Sequence, residues 1–102
     1  MIFKSMLLLG AIALMSSNGH AQDRNAGQTI FRDQGCFGCH TIGAVGTPIA
    51  PDLSHIGAKR DRAYLTRWLK DPSMQRPTAH MPKMELSDSE VEALAAYLGS
   101  LR

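Results

Sequence analysis

The sequence predicts an all-α fold: three main helices, with long loops between them that wrap something the chain does not itself supply. Three observations predict it. Apolar residues recur at helical spacing in three stretches, and no stretch alternates as a half-buried strand does. Two segments between those stretches, 43–51 and 72–86, hold all five prolines and have no period. Loops that long are unusual in a small domain unless they bind something. Finally, one short domain buries only a marginal core and usually needs a disulfide, a metal or another bound support.

The N-terminus reads "MIFKSMLLLGAIALMSSNGHAQ". Lys4 is the only charge before Asp23, Met6 to Met15 is an apolar run, and small residues follow it to Ala21. That order is a secretory signal peptide, 1–21, with cleavage after Ala21. The run is too short for a membrane span, which needs about 20 apolar residues. The single mature domain is then 22–102.

The first helix is expected over about 25–33. Asn25 is a plausible N-cap, Ile30 and Phe31 form an apolar side, and Gly35 ends it. The second is expected over about 59–70. Tyr64, Leu65, Trp68 and Leu69 share one face, and Asp71-Pro72 stops it. The third is expected over about 88–101. Ser87 and Glu90 have capping-box spacing, and Val91, Leu94, Ala95, Leu98 and Leu101 recur at helical spacing.

The only two cysteines lie in "QGCFGCHTIG". Cys36-Phe37-Gly38-Cys39-His40 is the C-x-x-C-H attachment pattern of c-type haem. Cysteines one turn apart can each form a thioether with a haem vinyl group, and His40 then presents its imidazole to the iron. Other uses of the pair fit less well. A redox dithiol normally lies beside a βαβ pattern. A zinc site would have to draw on His40, His55 and His80, which lack the usual ligand spacing. A disulfide across so small a loop stabilises little. A second axial ligand is available in Met81, held in the "MP" of a proline-stiffened loop. Thioether sulfur favours ferrous iron and raises the potential. The ordinary use of Met74, Met81 and Met84 is as core fillers.

"CFGCH", "APDLSHIG", "YLTRWLKDPS", "MPKMELSDSE" and "ALAAYLGSL", in that order, resemble the small class I cytochromes c of bacterial periplasms over residues 24–102. The resemblance implies the small cytochrome c fold around one covalent haem c, with His40 and Met81 as the iron ligands. It makes Met84 a packing residue. It implies that the Pro51 carbonyl accepts the N–H of His40, that Leu53 lies on the same side of the haem, and that Gly27 and Phe31 sit where the first helix crosses the last near Leu94 and Tyr97. Met84, and His80 beside Met81, are the rival ligands. His55 is expected in a loop near a propionate, with Arg62 and Trp68 as propionate partners.

The leading function is a periplasmic one-electron carrier, not an enzyme, cycling between Fe(III) and Fe(II) and docking transiently on respiratory or dehydrogenase redox proteins. The electron exit is expected at the haem edge near Phe37, Gly38, Ile42 and the Met81–Met84 loop. The alternative is a fixed haem subunit of a periplasmic oxidoreductase complex. A peroxidase or gas sensor would need an open iron position. With Lys4 removed, ten Lys and Arg stand against nine Asp and Glu, a balance that argues against nucleic acid as a partner. No stable membrane insertion is expected once the signal is cleaved. The basic residues Lys59, Arg60, Arg62, Arg67 and Lys70 and the acidic Glu85, Asp88, Glu90 and Glu92 read as solvated helix faces, with partner docking as their alternative use.

Overall fold

A computed structural model describes residues 18–102. Residues 1–17, which carry most of the expected signal peptide, lie outside the described residues. Among the described residues five helices occur in chain order: α1 (Asn18–Asp33), α2 (Ile56–Lys59), α3 (Arg62–Lys70), α4 (Pro72–Gln75) and α5 (Asp88–Gly99). α1, α3 and α5 are the three main helices. α2 and α4 are single turns set in the connections.

α1 starts upstream of the expected Asn25. Asn25 is interior because the Ala and Gln before it are good helix formers and nothing there turns the chain aside. The helix ends as expected, at a left-handed Gly35 with φ of 79°. The single helix expected over 59–70 is two. Arg60 is extended, and the Asp61 side chain accepts the Tyr64 N–H at 2.8 Å, so a new helix starts there. Asp61 is legible as an N-cap in the sequence; the apolar period alone hides it. Asp71 ends α3 and caps α4, accepting from the Ser73 N–H and hydroxyl, with Pro72 in the first turn. α5 opens on the expected capping box, in which Ser87 N–H donates to Glu90 Oε1 at 2.8 Å and Glu90 N–H to Ser87 Oγ at 3.1 Å.

The expectation of no strands is corrected by one short ladder, β1 (Thr41–Ile42) antiparallel to β2 (Val45–Gly46). Two residues per strand are too few to show alternation in a sequence. The turn depends on Gly43, with φ of 60°.

The core sits on α5. Val91, Ala93, Leu94, Ala95, Tyr97 and Leu98 are buried there, against Phe31 from α1 and Leu65 and Leu69 from α3. α1 crosses α5 at Gly27, where a Cβ would run into the Ala93 carbonyl and stand 2.6 Å from the Tyr97 Cβ. Glycine is required there because the two backbones touch. Phe31, 2% exposed, stands edge-on to Tyr97 (5.9 Å) and to Phe37 (4.8 Å). It thereby joins the helix crossing to the cysteine turn.

Candidate haem-binding site

The cysteine motif begins as a 3₁₀ turn, Cys36–Gly38, on the end of α1. The Cys39 and His40 N–H groups both donate to the Cys36 carbonyl, at 3.2 and 3.0 Å. The turn sets the two thiols one turn apart. Both are free; Cys36 is half-buried against the core and Cys39 is exposed. Burial pushes the Cys36 thiol above its ordinary range, so it remains an S–H at neutral pH.

His40 Nδ1 lies 2.7 Å from the Pro51 carbonyl oxygen. A carbonyl can only accept, so Nδ1 donates, and in the neutral ring Nε2 keeps a lone pair. That is the tautomer a metal needs, and the carbonyl fixes the ring's orientation.

Backbone and side-chain bonds hold the carbonyl in turn. The Cys39 carbonyl accepts from Ile49 (3.1 Å) and Ala50 (2.7 Å), the His40 carbonyl from Thr47 (3.3 Å), and the Thr41 carbonyl from Leu53 (2.8 Å). Asp52 accepts from the Thr41 hydroxyl at 2.7 Å and the Ser54 hydroxyl at 2.9 Å, and Ser54 Oγ accepts the Gly43 N–H at 2.7 Å. The Thr41 hydroxyl, then that of Ser54, holds the Asp52 carboxyl below its usual range. At Gly46 (φ 110°) a Cβ would strike the His40 carbonyl and stand 2.9 Å from the Phe37 ring. Sequence reasoning misses this clasp of Thr41, Asp52 and Ser54. Its one signal is the short D-x-S spacing after Pro51.

The three methionines divide. Met74 is 77% exposed, whereas Met81 packs on the core. Met84 is half-buried and lies outside the residues packed on the core. His80 is exposed. Met81 Sδ accepts a hydrogen bond from Trp68 Nε1 at 3.1 Å. Indole has one donor, and it is given to Met81. Arg62 reaches α5, with Nη2 3.2 Å from the Glu92 carbonyl and 4.0 Å from its carboxylate. His55 Nδ1 donates to the Arg102 carbonyl at 2.9 Å.

Cys36, Phe37, Ile42, Leu53 and Met81 are partly buried apolar side chains resting on the core. Among the described residues no three His, Cys, Asp or Glu side chains gather as a zinc site requires. Two free thiols, one imidazole with Nδ1 on a carbonyl, and one semi-buried thioether among partly buried apolar side chains therefore fit haem c. Phe37, expected at the outer edge, turns inward to Phe31. Val45 on β2 (59%) and Ile49 (73%), whose N–H donates to the Cys39 carbonyl, are exposed apolar residues of this stretch.

The comparisons agree with the motif. A family model described as Cytochrome c matches residues 25–102. The chain is 30% identical to cytochrome c-552 of Bradyrhizobium diazoefficiens, over 97% of this chain and 94% of that one. It is 32% identical to part of cytochrome c oxidase subunit 2 of Alkalihalophilus pseudofirmus, and 27% identical to part of a nitric oxide reductase subunit of Stutzerimonas stutzeri. Those alignments take in 76% and 71% of this chain, but the chain spans only 25% and 53% of those two relatives. The crystal structure of the c-type cytochrome SorU from Sinorhizobium meliloti shares the fold, with a TM-score of 0.63 at 24% identity over 79% of this chain and 92% of that one.

Proposed function

The chain belongs to the cytochrome c family, and from that premise we propose that it is an exported one-electron carrier. The family's group is haem c, covalently held with its iron. Bound haem c supplies one-electron cycling between Fe(III) and Fe(II). Cys36 and Cys39 hold it by thioethers. His40 is the proximal ligand through Nε2, Met81 is the distal ligand through Sδ, the Pro51 carbonyl aims the imidazole, and Leu53 covers the group on the His40 side. With His40 and Met81 both bound to it, the iron would offer no open position to a substrate, so the chain would transfer electrons without being an enzyme.

The observation that carries this reading is the 2.7 Å bond from His40 to Pro51, which leaves Nε2 as a lone-pair donor immediately after the two thiols. Export follows from the N-terminal segment: cleavage after Ala21 releases 22–102 into the periplasm. Partners dock transiently at the exposed Val45 and Ile49, over a small interface.

The test is the visible spectrum of the full-length chain matured with haem. The oxidised protein should show the weak long-wavelength band of a ferric haem–thioether bond. Met81→Ala should remove that band and let the reduced protein bind carbon monoxide, with the haem still attached. A Met81→Ala protein that kept the band would overturn the distal assignment. An exported protein whose N-terminus is not Gln22 would overturn the cleavage site.

A second reading, that the chain is the fixed haem subunit of a larger oxidoreductase, is favoured by the relatives that are themselves subunits of an oxidase and a reductase. Co-purification at constant stoichiometry with a larger chain would select it. A chain purified alone would select the free carrier.

A further inference from the structure

A cleft lies where α2 and the start of α3 meet the end of α5, with Arg24 of α1 at its side. Gly57 of α2 and Gly99 of α5 touch through their backbones, since a Cβ on Gly57 would run into the Gly99 carbonyl. The Gly57 N–H donates to the Leu101 carbonyl at 2.7 Å and His55 Nδ1 to the Arg102 carbonyl at 2.9 Å, so residues 101–102 are stitched down beside α2. Ala95 and Gly99 present little side chain here, and a cavity of about 410 Å³ stays open. That volume is in the range of small-ligand sites. Its lining includes none of the haem-site residues. Four of the chain's seven arginines line it, and none of its lysines: Arg24, Arg60, Arg62 and Arg102. Against them stands one carboxylate, that of Asp61.

Three of these arginines are held in place. Arg102 Nη1 donates to the Gly57 carbonyl at 3.0 Å, Arg62 Nη2 to the Glu92 carbonyl at 3.2 Å, and the Arg60 guanidinium lies 4.4 Å from the centroid of the Tyr64 ring. A guanidinium has five N–H donors, so these contacts leave most of each fork unused. The Asp61 carboxylate is itself engaged, accepting the Tyr64 N–H at 2.8 Å. Among the described residues, Arg62 is the one member of the four with an Asp or Glu carboxylate within 4 Å. The charges of Arg24, Arg60 and Arg102 are therefore not cancelled locally. Like charges around a concave floor reinforce one another's field and attract counter-ions. We propose that this cleft binds a soluble polyvalent phosphate of about diphosphate size through Arg24, Arg60 and Arg102. A planar guanidinium meets two oxygens of a phosphoryl group at once, which an ammonium cannot do, and that accounts for arginines without lysines. The cavity has room for two linked tetrahedral groups, and three uncancelled arginines match the charge of a diphosphate.

The experiment titrates inorganic pyrophosphate into the reduced, nitrogen-15-labelled holoprotein at a constant ionic strength of about 0.1 M, where general attraction is screened beyond about 10 Å. Amide shifts should saturate at Gly57, Gly99 and Ser100 and stay small at Ile49 and Ala50. Arg60→Gln and Arg102→Gln should each weaken binding about three- to tenfold. Lys83→Gln removes the same charge outside the cleft and should leave binding unchanged. Gly99→Leu keeps every charge, and because a Cβ there meets nothing within 4 Å, its side chain enters the open space and should abolish binding with the thermal midpoint unchanged. Shifts that never saturate, or a loss in Lys83→Gln equal to that in Arg60→Gln, would mean general attraction only and overturn the proposal. Sulfate binding as tightly as pyrophosphate would overturn the diphosphate assignment. A hexaglutamate peptide binding more tightly than pyrophosphate would make the cleft a docking surface for an acidic protein and overturn it equally.

Discussion

The loop that carries His40 and the loop that carries Met81 are built by opposite means. From Cys39 to Ser54 the chain is cross-tied by backbone bonds into the Cys39, His40 and Thr41 carbonyls, a short ladder and the Thr41–Asp52–Ser54 clasp. From 77 to 86, among the described residues, one backbone bond occurs, from Ala79 N–H to the Arg76 carbonyl, and the sulfur's only partner is Trp68. The first loop presents its ligand through its own hydrogen bonds. The second depends on what its side chains rest against. The difference teaches that His40 is held in place by its own loop, whereas Met81 is held by what it rests against.

The largest test of this contrast removes the bound group. Changing both Cys36 and Cys39 to Ala should abolish covalent haem, seen as loss of haem stain on a denaturing gel. The mature chain should lose its cooperative thermal transition by circular dichroism, because so small a domain has little core to spare. A cooperative melt would mean that α1, α3 and α5 suffice alone.

Hydrogen exchange on the holoprotein should separate the loops directly. The amides of Ile49, Ala50 and Leu53 should exchange at least about tenfold more slowly than those of His80, Lys83 and Met84, since opening free energies follow local bonding. Equal rates would remove the contrast.

A smaller effect is expected at the end of the distal loop. Ser87 anchors it to α5 through both bonds of the capping box. Ser87→Ala should cost about 1 kcal/mol of stability in urea. The thioether band should fade at lower urea than in the parent.

The smallest concerns acid. The Thr41 and Ser54 hydroxyls depress the Asp52 carboxyl below its reference value of 3.8 in the folded protein. A group depressed in the folded state stabilises fully above its unfolded pKa and loses that contribution as pH falls through the folded one. Stability measured across pH 5 to pH 2 should therefore fall more steeply in the parent than in Asp52→Asn. The carboxyl is fully exposed, so the difference should be slight.

Much of the site is legible in the chain because its information is local. The C-x-x-C-H turn, the Ser87–Glu90 box and the apolar period of α5 each complete themselves within one or two turns of backbone. The Gly27 crossing and the Pro51 carbonyl could be expected only through a family resemblance, since each needs a partner far along the chain. Asp61 escapes notice although it is local, because apolar periodicity does not register a cap.

What the sequence by itself determined is an all-α domain with a haem-attachment turn and a methionine loop ahead of its last helix. Short-range spacing and propensity suffice for those. Only the tertiary structure decided which methionine packs on the core, where Trp68 sends its single N–H, and how Asp52 braces the carbonyl that orients His40. Each of these joins residues far apart along the chain. Their meeting depends on how α3, α5 and the two loops pack, a choice no local pattern records.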